Sequence, residues 1–198
     1  MSVSTVSRWT RDLELDDAHQ ARLREANPAL NGRRLGQRVG ADRAREARAA
    51  AQEHGRRLAG VADPLHLLGC MLYWAEGSKG RNCVTFTNSD PDMVATFLSF
   101  LRASYATTDQ QVTVRVNVFL GNGLELETIE AWWLERLDLP PTSLRRAIVN
   151  SPSRASQRKR RTLPYGTLRL EVHSTFLVQS IYGAIQAYAG VDRPEWLD

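Results

Sequence analysis

The sequence is short of cysteine and of long apolar runs. Only two of its 198 residues are cysteines, Cys70 and Cys83, and they do not form a CxxC pair. This excludes a disulfide framework and a cysteine-based zinc site, so both are predicted to be reduced core residues. No apolar run approaches the ~18 residues needed to span a membrane, and the N-terminus lacks the apolar segment of a secretory signal. We therefore expect a cytoplasmic protein without a membrane partner.

Lysine is scarce too, and one segment has no acids at all. Lys79 and Lys159 are the only lysines among 26 basic residues. Residues 142–169 contain eight basic residues and no acid, whereas residues 61–138 contain five basic and ten acidic residues. Residues 31–58 contain eight arginines and three acids. Uncompensated positive charge favours a polyanion such as DNA or RNA. In 142–169 the candidate contacts are Arg145, Arg146, Arg154, Arg158, Lys159, Arg160, Arg161 and Arg169.

The alternative for both basic segments is a solvated surface, because coding composition alone can enrich arginine. For residues 31–58 the two interpretations have equal weight. For residues 142–169 the absence of any compensating acid favours polyanion binding.

Two parts are predicted along the chain. Residues 1–60 are a helical appendage, and residues 61–198 are a compact domain that begins at the helix start Asp63-Pro64. In the appendage, helices are predicted at 2–13, 16–26 and 33–59. In the domain, helices are predicted at 64–76, 91–104, 124–137 and 174–189, and strands at 82–88, 112–120, 145–150 and 167–173. Antiparallel strands with helices on one face define an α+β domain.

Two of these strands would present polar side chains on one open face. Alternation places Thr113, Arg115 and Asn117 together on the first strand. On the second strand the corresponding residues are Thr167, Arg169, Glu171 and His173. The DNA major groove admits a two-stranded ribbon and is read by hydrogen-bonding side chains, so this face suits double-stranded DNA. Alternatively, it is the ordinary polar face of any antiparallel sheet.

One stretch resembles a known family. LYWAEGSK (72–79) followed by VTFTNSDPDMVATFLSFLR (84–102) is similar to the LAGLIDADG homing-endonuclease domain. There an apolar helix ends in an acidic residue followed by Gly and a strand. GCMLYWAEG (69–77) covers the nine motif positions and places Glu76 on the acidic one. The resemblance covers about 63–189 and implies a LAGLIDADG-like α+β fold.

The resemblance also implies a chemistry and an assembly. In an active endonuclease Glu76 and Lys79 would be catalytic residues, and Glu76 would bind Mg²⁺, which prefers carboxylate oxygens. A single motif requires a homodimer and a near-palindromic target. Met71 departs from the family, which usually has a small residue at that position, and only one strand separates the first two helices. Alternatively, Glu76 is a surface residue and Gly77 a C′ glycine that ends the helix.

The N-terminus has a second resemblance. SVSTVSRWTRDL (2–13) is similar to the recognition half of a helix-turn-helix, and it could equally be a short capped helix. Bacterial sporulation regulators join a LAGLIDADG-like domain to a helix-turn-helix and act without cutting DNA. We therefore expect a non-cutting transcriptional regulator or degenerate endonuclease relative. The alternatives are an active Mg²⁺-dependent homing endonuclease and a protein-interaction module.

Overall fold

The computed structural model describes residues 16–119, 124–150 and 163–197. The helix predicted at 2–13 and the candidate contacts from Arg154 to Arg161 lie outside the described residues. Within the described residues, no helix is both long and apolar enough to cross a membrane. Cys70 and Cys83 are free thiols.

The chain divides into two compact units, Met1–Ala44 and Arg45–Asp198. The first unit contains helix α1 (Asp17–Ala26) and the beginning of the long helix α2 (Pro28–Ala59). The division falls earlier than the expected boundary at residue 60. The reason is that the last turns of α2 bury side chains within the second unit, among them Ala51 and Gln52.

Those last turns pack very closely against the C-terminal helix, α6 (Thr175–Ala189). A Cβ atom on Gly55 would overlap the Ser180 carbonyl, and one on Gly183 would overlap the backbone of Gln52. Three buried glutamines fill the contact. Gln52 Nε2 donates to Gln179 Oε1 at 2.8 Å, and Gln186 Nε2 donates to Gln52 Oε1 at 3.0 Å. Because buried amides must find partners, this network fixes how the two helices meet.

Three further α-helices are described in the second unit, and the starts of the first two follow from the sequence. They are α3 (Pro64–Glu76), α4 (Pro91–Tyr105) and α5 (Leu126–Leu137). The Asp63 carboxylate accepts the N–H of Leu65 at 2.9 Å, and the Asp90 carboxylate accepts that of Asp92 at 2.9 Å. Each cap precedes a proline in the first turn, where the missing N–H costs nothing. The predicted helix start at Asp63-Pro64 is confirmed, and Asp90-Pro91 forms a second start of the same kind.

A four-stranded sheet forms the other layer. Its strands are β1 (Val84–Asn88), β2 (Val112–Val118), β3 (Ile148–Val149) and β4 (Thr167–Val172), in the order β1-β4-β2-β3. β4 pairs antiparallel with both β1 and β2. The predicted strand at 145–150 is reduced to two residues, and it runs parallel to β2 rather than antiparallel. The sheet is therefore mixed.

One face of the sheet carries the core. Val114, Val116, Leu168 and Leu170 are buried, and the residues that alternate with them are more exposed. The buried side chains of the helices join the same core, including Tyr73 of α3 and the α4 and α6 side chains Phe97, Phe100, Leu101, Val178 and Ile181. The opposite face is the more open one, although Thr85 of β1 is buried there. The fold class is α+β, as predicted.

Candidate nucleic-acid interface

The open face of the sheet collects the polar side chains that the alternation predicts. β2 and β4 pair with Thr113 opposite Glu171, Arg115 opposite Arg169 and Asn117 opposite Thr167. β1 extends two of these rows, because Thr85 pairs with Glu171 and Thr87 with Arg169. Directly paired residues of antiparallel strands point to the same face. The three strands thus form one continuous polar surface of threonine, asparagine and arginine side chains.

Two arginines face each other at the centre of this surface. Arg115 and Arg169 are directly paired on the two inner strands, where like charges destabilise the sheet. Arg169 Nη2 donates to Glu171 Oε1 at 2.7 Å. Among the described residues, the buried Nε of Arg115 has no hydrogen-bond partner. The pair therefore keeps an excess of one positive charge over Glu171 and an unused donor.

The other described candidates lie around this centre. Asn117 accepts a hydrogen bond from the side chain of Asn150, and His173 is exposed just beyond β4. The backbone N–H of Arg145 donates to the Val114 carbonyl at 2.8 Å, which places Arg145 beside β2. Arg145 and Arg146 are both exposed. The structure therefore places Arg145 and Arg146, which precede β3, beside β2.

The remaining candidates, Arg154, Arg158, Lys159, Arg160 and Arg161, lie outside the described residues. The chain on either side of them is anchored. The Asn150 N–H donates to the Val118 carbonyl at 2.9 Å. Tyr165 stacks on Trp132 at a centroid distance of 3.8 Å, and Trp133 Nε1 donates to the Tyr165 carbonyl at 2.9 Å. Tyr165 was not predicted from the sequence, because no local pattern indicates an aromatic partner 33 residues away.

Glu76 ends α3 with its side chain exposed. Gly77 follows, but not as a left-handed C′ glycine, because its φ is −74° and it bridges to Phe86 of β1. The reason for glycine is steric, since a Cβ atom there would overlap the Tyr73 ring. Gly77 therefore lets the chain pass over the Tyr73 ring and enter the sheet.

Lys79 caps the C-terminus of α3. Its ammonium group donates to the carbonyls of Tyr73 at 3.2 Å, Trp74 at 2.9 Å and Gly77 at 2.7 Å. These bonds use all three ammonium donors, at the helix end where a positive charge is favourable. Burial lowers the pKa of Lys79, and the nearby Glu76 carboxylate partly offsets this. The contacts define a structural role for Lys79.

The carboxylate of Glu76 is a single possible Mg²⁺ ligand. Among the described residues, no three histidines, cysteines or acids lie close enough together to hold a metal ion. Mg²⁺ is usually held by one or two carboxylates with several waters, and the ammonium of Lys79 beside Glu76 opposes a second cation. A fuller set of ligands at this helix end would need a second copy of the chain.

The outer side of α3 is apolar. Leu67 and Leu68 are 41% and 47% exposed, and Met71 and Trp74 continue the same side along the helix. The inner side is buried, and a Cβ atom on Gly69 would overlap the Phe100 ring. Gly69 therefore allows α3 to pack closely against Phe100 in the core, and larger residues form the outer surface.

No protein-family model matches the chain, and comparisons with curated proteins and with solved structures give no significant match. Any functional conclusion therefore depends on the side chains described above.

Proposed function

We propose that this protein binds double-stranded DNA through the open face of its sheet and does not cut it. It would do so on a LAGLIDADG-like scaffold, as a homodimer that acts as a transcriptional regulator or is a degenerate relative of an endonuclease. One observation carries the proposal: Arg115 and Arg169 are paired at the centre of a face lined by threonine and asparagine. An arrangement that destabilises the free sheet is favourable when a polyanion occupies it.

The side chains on this face are suited to DNA recognition. Arginine can bind the O6 and N7 atoms of guanine with two hydrogen bonds, and asparagine can bind adenine in the same way. Arg115, Arg169 and Asn117 provide these groups on the two inner strands of the sheet, so they can reach base edges where this face lies against a groove. Arg145 and Arg146 lie beside β2, where they can contact phosphates.

The apolar outer side of α3 supports the homodimer. Exposed leucines on one side of a helix indicate an interaction surface. A self-complementary pair of α3 helices would bury Leu67 and Leu68 in both copies and give the assembly a two-fold axis. A near-palindromic target would then present one half-site to each sheet.

A Mg²⁺-dependent endonuclease is the second candidate. Glu76 is exposed at the end of α3, the helix that we assign to the dimer contact. Pairing of these helices could bring two Glu76 carboxylates to one shared site. The engagement of Lys79 with three carbonyls favours the non-cutting function. A protein-interaction module, the third candidate, would use the apolar side of α3 for a different protein.

One selection experiment separates the three candidates. The wild-type protein and Glu76→Gln are each incubated with a randomised duplex library, with and without Mg²⁺. A regulator enriches a sequence and leaves it intact, and the substitution changes neither result. An endonuclease cleaves in Mg²⁺, and Glu76→Gln abolishes cleavage while DNA affinity stays within a few-fold. A protein that neither enriches nor cleaves any duplex contradicts the DNA-binding proposal and favours the interaction module.

A further inference from the structure

Glu171 is the single acid within the four strands that the structure describes. It lies on β4 between Thr85 of β1 and Thr113 of β2, so backbone pairing fixes it from both sides. Its side chain is 15% exposed, whereas that of its partner Arg169 is 45% exposed. The carboxylate is thus a fixed part of the sheet, and the guanidinium is the part of the pair that a ligand can reach.

The hydrogen bond between Arg169 and Glu171 makes Arg169 less available to a ligand than Arg115. The 2.7 Å bond from Arg169 Nη2 to Glu171 Oε1 occupies one side of the Arg169 fork. Arg115, directly opposite, has a buried Nε without a partner among the described residues. A phosphate that approaches Arg169 must compete with an anion already in place, and it meets the charge of Glu171. A phosphate that approaches Arg115 meets no such competing carboxylate among the described residues.

We propose that Glu171 is a specificity-determining residue that suppresses non-specific binding to the DNA backbone. This inference rests on the proposed DNA-binding function. In the free protein Glu171 holds Arg169, and next to DNA it repels phosphate oxygens. A base edge is a more suitable partner for the accessible Arg169 guanidinium, because the O6 and N7 acceptors of guanine carry no net charge for Glu171 to repel. The Arg169–Glu171 pair therefore favours base contacts over phosphate contacts.

The test compares two variants that raise the net charge equally. Glu171→Gln removes the acid from the open face, and Glu127→Gln removes an exposed acid from α5. The probe is a mixed-sequence duplex of about 30 base pairs, titrated at several salt concentrations. We expect Glu171→Gln to tighten binding by about 3- to 10-fold and to steepen the slope of log affinity against log salt by about one unit. Glu127→Gln should stay within about twofold of wild type, because its charge is screened.

Two results would overturn the inference. If Glu171→Gln binds no tighter than Glu127→Gln while wild type does bind duplex DNA, Glu171 has no such role and DNA binding stands. If wild type binds no duplex at all, the proposed function itself fails, and the wild-type measurement alone shows this.

A double variant covers the case in which Glu171→Gln does not fold. Arg169→Gln with Glu171→Gln removes both charges; glutamine keeps the side-chain length of Glu171 and is shorter than Arg169. We expect it to bind the same duplex about as tightly as wild type and more tightly than Arg169→Gln alone, because that single variant leaves an unpaired carboxylate facing phosphate. Equal affinity of the single and double variants would contradict the inference.

Discussion

Arg115 and Arg169 lie directly opposite each other on the two inner strands of the sheet. Residues paired across neighbouring strands usually stabilise the sheet, whereas like charges at paired positions destabilise it. Glu171 neutralises one of them, and the buried Nε of Arg115 remains without a partner among the described residues. A local arrangement that costs stability is expected at a functional site.

Replacement of Arg115 tests this directly. Arg115→Gln should raise the free energy of unfolding by up to about 1 kcal/mol, because it removes like-charge repulsion. It should also weaken DNA binding and reduce the salt slope by about one unit. Urea denaturation and binding titrations measure the two effects, with Arg193→Gln at an exposed ion pair as the control. Loss of stability in Arg115→Gln would show that the pairing is not a cost.

The local signals in the sequence predicted much of this fold. The bounds of α3 agree with the prediction at both ends, because Asp63, Pro64 and Gly77 mark them within the segment itself. The polar face of β2 and β4 was also predicted, since strict alternation needs only the residues of each strand.

Long-range contacts explain what the sequence did not predict. Gln52 meets Gln179 across 127 residues, so no local pattern shows that the end of α2 belongs to the second unit. β3 was predicted as a longer antiparallel strand, but it is a short strand that pairs parallel with β2. This pairing depends on β2, which lies about 30 residues earlier in the chain. The Arg169–Glu171 contact could have been predicted from the sequence, because residues two apart on a strand share a face.

The close contact between α2 and α6 predicts a sharp difference between two glycines. Gly183→Ala should lower the free energy of unfolding by about 1–3 kcal/mol, because the added methyl group would overlap the backbone of Gln52. Gly36→Ala, in α2, has open space around it and should not reduce helicity, since alanine favours helix by about 1 kcal/mol. Circular dichroism during denaturation measures both. A Gly183→Ala variant as stable as wild type would refute the close packing.

A buried histidine predicts a dependence of stability on pH. His66 is 2% exposed, and its ring nitrogens lie 2.8 Å from the Tyr188 hydroxyl and 3.3 Å from the Tyr105 hydroxyl. Burial lowers the pKa of His66, although the Asp63 carboxylate opposes this shift. The unfolded chain therefore binds the proton more readily, and stability must fall as the pH drops below about 6.5.

Urea midpoints at about pH 7.5 and about pH 5 measure this fall, since both values bracket the ordinary histidine pKa. His66→Gln should reduce the difference between the two midpoints, and the same change at His173, an exposed histidine outside the core, is the control. His54 and Cys70 also lie near His66, and Cys70 does not titrate in this range because burial raises its pKa to about 12. An unaltered difference in His66→Gln would assign the pH dependence to other groups.

The outer side of α3 predicts a dimer that a single charge disrupts. Leu68 is 47% exposed in one copy, so completing its burial contributes about half of the ~1.5–3 kcal/mol gained when a fully exposed leucine is buried. Because a two-fold axis repeats every contact, Leu68→Asp would remove two leucines and place two carboxylates in one interface. We expect wild type to sediment as a dimer at tens of micromolar and Leu68→Asp as a folded monomer, since an exposed substitution changes monomer stability by about 0.5 kcal/mol or less.

Leu163→Asp, at an equally exposed leucine outside α3, is the control and should remain dimeric. A monomeric wild type, or a dimer that tolerates Leu68→Asp, would remove α3 as the dimer contact and with it the expectation of a palindromic target.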